Sequence, residues 1–132
     1  MNAVSMRKLR NALPKALGGK LPRQIEIVPI REPEARRLNR RYRARRRAAN
    51  VLSFRYGSDY GEILVCPQVI RRDAASTGNT YSYQLTWMVL HGMIHLAGMH
   101  HERSAAMARR VTAIEDAILR RLFDSVNAKR KT

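Results

Sequence analysis

The 132-residue sequence predicts an α+β fold: a small mixed sheet of about three strands packed against helices, with a metal-binding helix at the centre. Three observations lead there. Three short stretches carry strand patterning, the helical stretches between them do not alternate strictly with strands, and one helical segment is apolar nearly all round. Such a segment belongs in the middle of a core.

Taken in order, Val4, Leu9, Leu13 and Leu17 fall near one face of a first helix over Val4 to Leu17, ended by Gly18-Gly19. Gln24 to Ile30 alternates apolar and polar residues and reads as a strand. Pro33 sits where a helix accepts proline, in its first turn, with Glu32 and Glu34 complementing the helix dipole. That helix is expected to bury Ala35, Leu38 and Tyr42 and to turn its arginines outward. Val51-Leu52-Ser53-Phe54 and Glu62-Ile63-Leu64-Val65-Cys66 make two further strands, joined by the turn-forming Gly57-Ser58-Asp59. A short helical stretch follows Pro67 through Val69 and Ile70. Ser82 to Ala97 is the helix that is apolar all round, and Met107, Val111, Ile114, Ile118 and Leu122 repeat at helical spacing to mark a last helix covering the core.

The length fits one domain over residues 1–132, and 45% hydrophobic content is enough to build its core. The single cysteine, Cys66, lies in an apolar run and reads as a small buried hydrophobe in a reducing cytosol. No stretch has the length of apolar sequence that spans a membrane, and Met1 to Lys20 lacks the apolar block of a secretion signal.

Charge is more informative. With 26 Lys and Arg against 10 Asp and Glu, the net charge of +16 exceeds what solubility requires and points to a polyanionic partner. Arg36, Arg37, Arg40, Arg41, Arg43, Arg45, Arg46 and Arg47 crowd into one segment, and Lys129-Arg130-Lys131 forms a basic tail. Arginine dominates the run, and its planar fork suits phosphate, so RNA is the expected partner and a membrane is not.

All four histidines lie in one stretch, His91-Gly92-Met93-Ile94-His95-Leu96-Ala97-Gly98-Met99-His100-His101. Residues i and i+4 share a helix face about 6 Å apart, so His91 and His95 can address one ion. Gly98 offers a left-handed position that ends the helix and turns the chain back to deliver His101. Three imidazoles leave a coordination position open, which marks a catalytic site; structural zinc sites are closed by four ligands and rich in cysteine. Zinc is the default for such a set, with nickel able to bind the same ligands. The frame H-x-x-x-H-x-x-G-x-x-H is shared with zinc proteases that carry glutamate after the first histidine, where this chain has Gly92. The expectation is that Gly92 leaves room beside the metal for a phosphate; the competing reading is that it only permits close helix packing. Next to the third ligand, His100 is open to three readings, a proton donor, an alternate ligand or an exposed side chain, and Glu102 to two, an acceptor or general base at the site or a charge that opens the last helix.

Several segments together resemble the YbeY family of endoribonucleases, over most of the chain from about Ile25. Leu38-Asn39-Arg40-Arg41-Tyr42-Arg43 is similar to the family's L-N-x-x-Y-R, and Asn50-Val51-Leu52-Ser53-Phe54 to its T-D/N-V-L-S-F. Gly61-Glu62-Ile63 resembles G-D/E-I, and His91-Gly92-Met93-Ile94-His95-Leu96-Ala97-Gly98 with His101 resembles H-G-x-L-H-L-x-G-x-D-H. The resemblance implies an α+β fold, one divalent metal on His91, His95 and His101, and Arg43 as a catalytic residue. It also implies cleavage of single-stranded RNA, maturation of the 16S rRNA 3′ end, ribosome quality control and a cytoplasmic setting. The partners implied are rRNA and ribosomal particles, with ribosomal proteins or GTPase assembly factors beside them; the basic run itself offers Arg36, Arg37, Arg40, Arg41, Arg45, Arg46 and Arg47 as the RNA contacts. The departures are Ala49 for threonine, Arg55 for proline and His100 for aspartate. Two other readings compete: a zinc peptidase, which lacks its glutamate at Gly92, and a ribosome-binding assembly factor whose metal is only structural.

Overall fold

The structure is a computed structural model that describes residues 5–123. Val4 and the basic tail Lys129-Arg130-Lys131 lie outside the described residues. Helix α1 (Met6–Ala12) and α2 (Lys15–Gly18) precede β1 (Gln24–Pro29) and α3 (Glu32–Arg43). Strands β2 (Val51–Tyr56) and β3 (Tyr60–Val65) lead into α4 (Pro67–Thr77) and α5 (Tyr81–Leu96). A single turn of 3-10 helix, His101–Arg103, and α6 (Ala105–Phe123) follow.

The sheet is three-stranded in the order β1-β3-β2, with β1 parallel and β2 antiparallel to the central β3. The α+β class and the strand count are therefore as expected. Helix α5 packs on β2 and β3, with α4 and α6 also against it. Met93, Ile94, Leu90 and Val89 are fully buried there, each worth roughly 1.5–3 kcal/mol. Thr80 caps its start, accepting the Tyr83 amide at 3.1 Å.

Two helices differ from expectation. The first helix is not continuous: Leu13 is extended (ψ 147°) ahead of Pro14, which cannot donate to a helical ladder and clashes with the preceding turn. Leu9, Leu13 and Leu17 are nevertheless buried, because the break restarts the chain with the same face inward. In α3, Ala35 is buried and Leu38 half-buried, but Tyr42 is 57% exposed and Asn39 is buried instead. Tyr42 lies edge-on to Phe54 of β2 at a ring separation of 5.2 Å, so it covers the sheet edge without entering the core.

Gly92 does not leave room for a phosphate. A Cβ there would stand 2.8 Å from Ser53 Oγ and 3.0 Å from Ile63 Cγ2. The glycine faces the sheet and lets α5 approach β2 and β3, with Ser53 Oγ donating to its carbonyl at 3.3 Å. It opens no space at the histidines.

Candidate metal centre and basic cleft

Helix α5 presents His91 and His95, half-buried, on the face that turns away from its buried residues Gly92, Met93 and Ile94. The helix ends as the sequence requires. Gly98 has φ +98°, its amide donates to the His95 carbonyl at 2.9 Å and the Met99 amide to Ile94 at 3.2 Å, a paired closure that reverses the chain. His101 is thereby returned against His91, their ring centroids 4.8 Å apart. His91, His95 and His101 line one cleft together with Arg43, Arg45, Tyr42, Ser53 and Glu102. Arg55, in the position of the family's proline, ties this turn down: its guanidinium donates to Leu96, Lys20 and Gly57 carbonyls at 2.7, 2.6 and 2.8 Å.

The donor set suits a divalent cation. Burial holds the His95 ring well below its ordinary value, to about 4, with His100, His91 and Arg43 adding repulsion against the opposing pull of Glu102. The ring is thus neutral at pH 7, the form that binds metal. Nδ1 of His91 donates to Glu115 at 2.5 Å, which fixes the tautomer and leaves Nε2 free for a ligand bond. Glu115 is itself buried, 4% exposed, and its other oxygen accepts from Trp87 Nε1 at 2.9 Å.

The ligand atoms that converge belong to a different set, which competes for the third position. Among the described residues, His95, His100 and Glu102 bring ligand atoms within 4.8 Å of one another. The His95 and His100 rings are 4.1 Å apart, and Glu102 stands 3.9 Å from His95 Nε2 and 3.3 Å from His101 Nδ1. Yet His100 lines a different pocket, on the side of Lys20 and Arg55, whereas His101 shares the cleft of His91 and Arg43. The Glu102 carboxyl is held below the usual range by its own backbone N–H, aided by the histidines.

The basic segment divides. Ala44 closes α3 in the left-handed region (φ 55°), and the Arg45 amide donates to Asn39 at 3.2 Å, so the chain folds back beside the helix. Arg36, Arg43, Arg45 and Arg47 consequently line a cleft of about 550 Å³ that adjoins His101, while Arg37, Arg40, Arg41 and Arg46 do not line it. Sequence reasoning missed Arg72, which completes this cleft from α4, and Glu115. The second had a signal: Glu115 falls between Val111 and Ile118 on the apolar stripe of α6, where a charge needs a partner.

Comparison with known proteins agrees with the motifs. The family profile described as Endoribonuclease YbeY matches residues 3–123. A Bdellovibrio bacteriovorus protein named Endoribonuclease YbeY is 36% identical over 81% of this chain and 73% of its own length. Those of Bordetella petrii and Thermotoga maritima are 38% and 34% identical over 73% and 72% of this chain, which spans only 64% and 63% of their lengths. The solution structure of a Thermotoga maritima protein superposes with a TM-score of 0.59 at 25% identity, covering 91% of this chain and 82% of that one. The chain belongs to the YbeY family of endoribonucleases.

Proposed function

We propose that this single domain is a metal-dependent endoribonuclease that cuts single-stranded RNA, with His91, His95 and His101 as the metal ligands. The observation that carries the reading is that the three histidines and Arg43 line one cleft, which shares Arg43, Arg45 and His101 with a second cleft rimmed by arginine. When bound, a divalent ion at an open three-imidazole site polarises a phosphoryl oxygen and lowers the pKa of water. Zinc is the ion favoured by the all-nitrogen set, with nickel the alternative. Arg43, lining the same cleft, would offer a guanidinium fork to the charge that develops on the phosphate. Glu102, ionised at neutral pH, stands beside His95 and His101 as a proton acceptor. Glu115 holds His91 in its binding tautomer and does not reach the substrate.

The RNA proposed is the 3′ end of 16S rRNA, within ribosome maturation and quality control in the cytoplasm, where ribosomal proteins or GTPase assembly factors would present it. No described helix is long and apolar enough to cross a membrane. The peptidase reading loses support because Gly92 faces the sheet, so that position cannot deliver a general base to the metal. The assembly-factor reading leaves the open site and the convergent arginine without a use. Incubating the protein with labelled single-stranded RNA and with labelled peptide, each with and without chelator, tests the proposal. Chelator-sensitive RNA scission with intact peptide supports it; peptide cleavage, or RNA binding with no scission at any metal loading, refutes it.

A further inference from the structure

The 550 Å³ cleft beside His101 has the size of a small-ligand pocket, and its wall chemistry is unusual for a phosphate channel. Its rim carries Arg36, Arg43, Arg45, Arg47 and Arg72. Arg72 is held in place by two hydrogen bonds to Glu32, at 2.6 and 3.1 Å. Two carboxylates share the lining: Glu32, which pairs with Arg36 and Arg72, and Asp73, which is within ion-pair distance of none of the five guanidinium groups. The Asp73 carboxylate accepts one hydrogen bond, from Asn50 Nδ2 at 3.1 Å, and is in no ion pair among the described residues. A second acceptor is idle. Asn39, 5% exposed, donates Nδ2 to the Arg47 carbonyl at 2.9 Å, while its buried Oδ1 accepts nothing.

Phosphate alone has no use for acceptors, since it brings only acceptors of its own. A nucleobase does use them. Guanine presents N1–H and the N2 amino group as adjacent parallel donors, which match the two oxygens of a carboxylate, and its O6 and N7 match an arginine fork. Adenine sets the lone pair of N1 beside its N6 amino group, and uracil flanks its N3–H with two carbonyls, so neither offers a carboxylate two adjacent donors. Single-stranded RNA can offer both base edges, and guanidinium planes stack on bases. The cleft also shares Arg43, Arg45 and His101 with the histidine cleft, so a nucleotide in it would flank the bond at the metal.

We infer that this cleft is a specificity subsite for a guanine nucleotide adjoining the scissile phosphate, read by Asp73 and held by the arginine rim. The inference rests on the RNA-cleaving reading of the histidine cleft and adds a base preference to it.

Binding by the metal-free full chain, followed by fluorescence anisotropy, isolates this step from cleavage. The probes are labelled uridine pentamers whose central residue is guanosine, inosine, adenosine or uridine. One two-pronged contact to a charged acceptor should favour guanosine over adenosine and uridine by about tenfold. Inosine, which lacks the N2 amino group, should fall between. Asp73→Asn should move the preference toward adenosine, which an amide side chain pairs through a donor and an acceptor. Arg72→Gln should weaken all four probes alike and lower the salt slope by about 0.7. Equal affinity of the wild type for the four pentamers overturns the inference, and so does guanosine preference that survives Asp73→Asn. The inosine comparison needs no variant, so a misfolded Asp73→Asn protein does not decide the matter. Failure of the nuclease reading looks different: metal-loaded protein cuts no RNA, whichever pentamer it prefers.

Discussion

His95 is the residue on which both possible ligand sets converge, since it shares one cleft with His91 and His101 and another pocket with His100. Alanine at His91, His95 or His101 should abolish stoichiometric metal binding, whereas His100→Ala should retain it; metal analysis by mass spectrometry after dialysis separates the cases. Equal loss at His100 and full retention at His101 would move the site to His95, His100 and Glu102. Glu115→Ala should weaken metal binding by about 10–100-fold through loss of the His91 tautomer, read by competition with a chelating dye. Acid should also act through His95. Its folded pKa, about 4, lies below the ordinary 6.5, so its contribution to stability is complete above pH 6.5 and is lost as pH falls toward 4. Denaturant melts of the metal-free protein should therefore show His95→Gln losing less stability than wild type between pH 7 and pH 4. The histidines and Arg43 were legible because a motif fixes their spacing. Arg72 was not, since it reaches the site only through the packing of α4, and Glu115 showed only as a charge on the apolar stripe of α6 whose partner the packing supplies.

At the scale of elements, the strands, α5 and α6 follow from periodicity, which reports one buried face at a time. What periodicity missed was local backbone chemistry and close approach. Pro14 interrupts a run whose apolar spacing is otherwise helical. Gly92 reads as an active-site residue from its motif, yet its neighbours are Ser53 and Ile63 of the sheet. Gly92→Ala should destabilise the fold by about 1–2 kcal/mol, the cost of overpacking less the gain in helix propensity, measured by urea unfolding. Stability equal to or above wild type would show that the α5 interface has slack. The Ser53 hydroxyl, donating to the Gly92 carbonyl, belongs to the same close approach of helix and sheet.

For the whole molecule, the sequence yields a charge and a direction for it, and the structure sorts the arginines that carry it. The composition points to a polyanion, but only the fold-back after Ala44 reveals that Arg36, Arg45 and Arg47 gather beside His101 while Arg37, Arg40, Arg41 and Arg46 stand elsewhere. Neutralising the first group should lower the slope of log affinity against log salt by more than neutralising the second, at about 0.7 for each phosphate left without its arginine. A salt titration with a single-stranded RNA measures both, and equal slopes would mean that net charge alone governs binding.

On the reading proposed above, three histidines hold one metal, and cutting RNA requires it. The most direct measurement couples metal content to scission of a labelled single-stranded RNA for wild type and for His95→Ala. Wild type should carry one ion per chain and cleave in a chelator-sensitive way, and the folded variant should do neither. A folded His95→Ala protein that keeps its metal, or that cuts RNA at the wild-type rate, would contradict it.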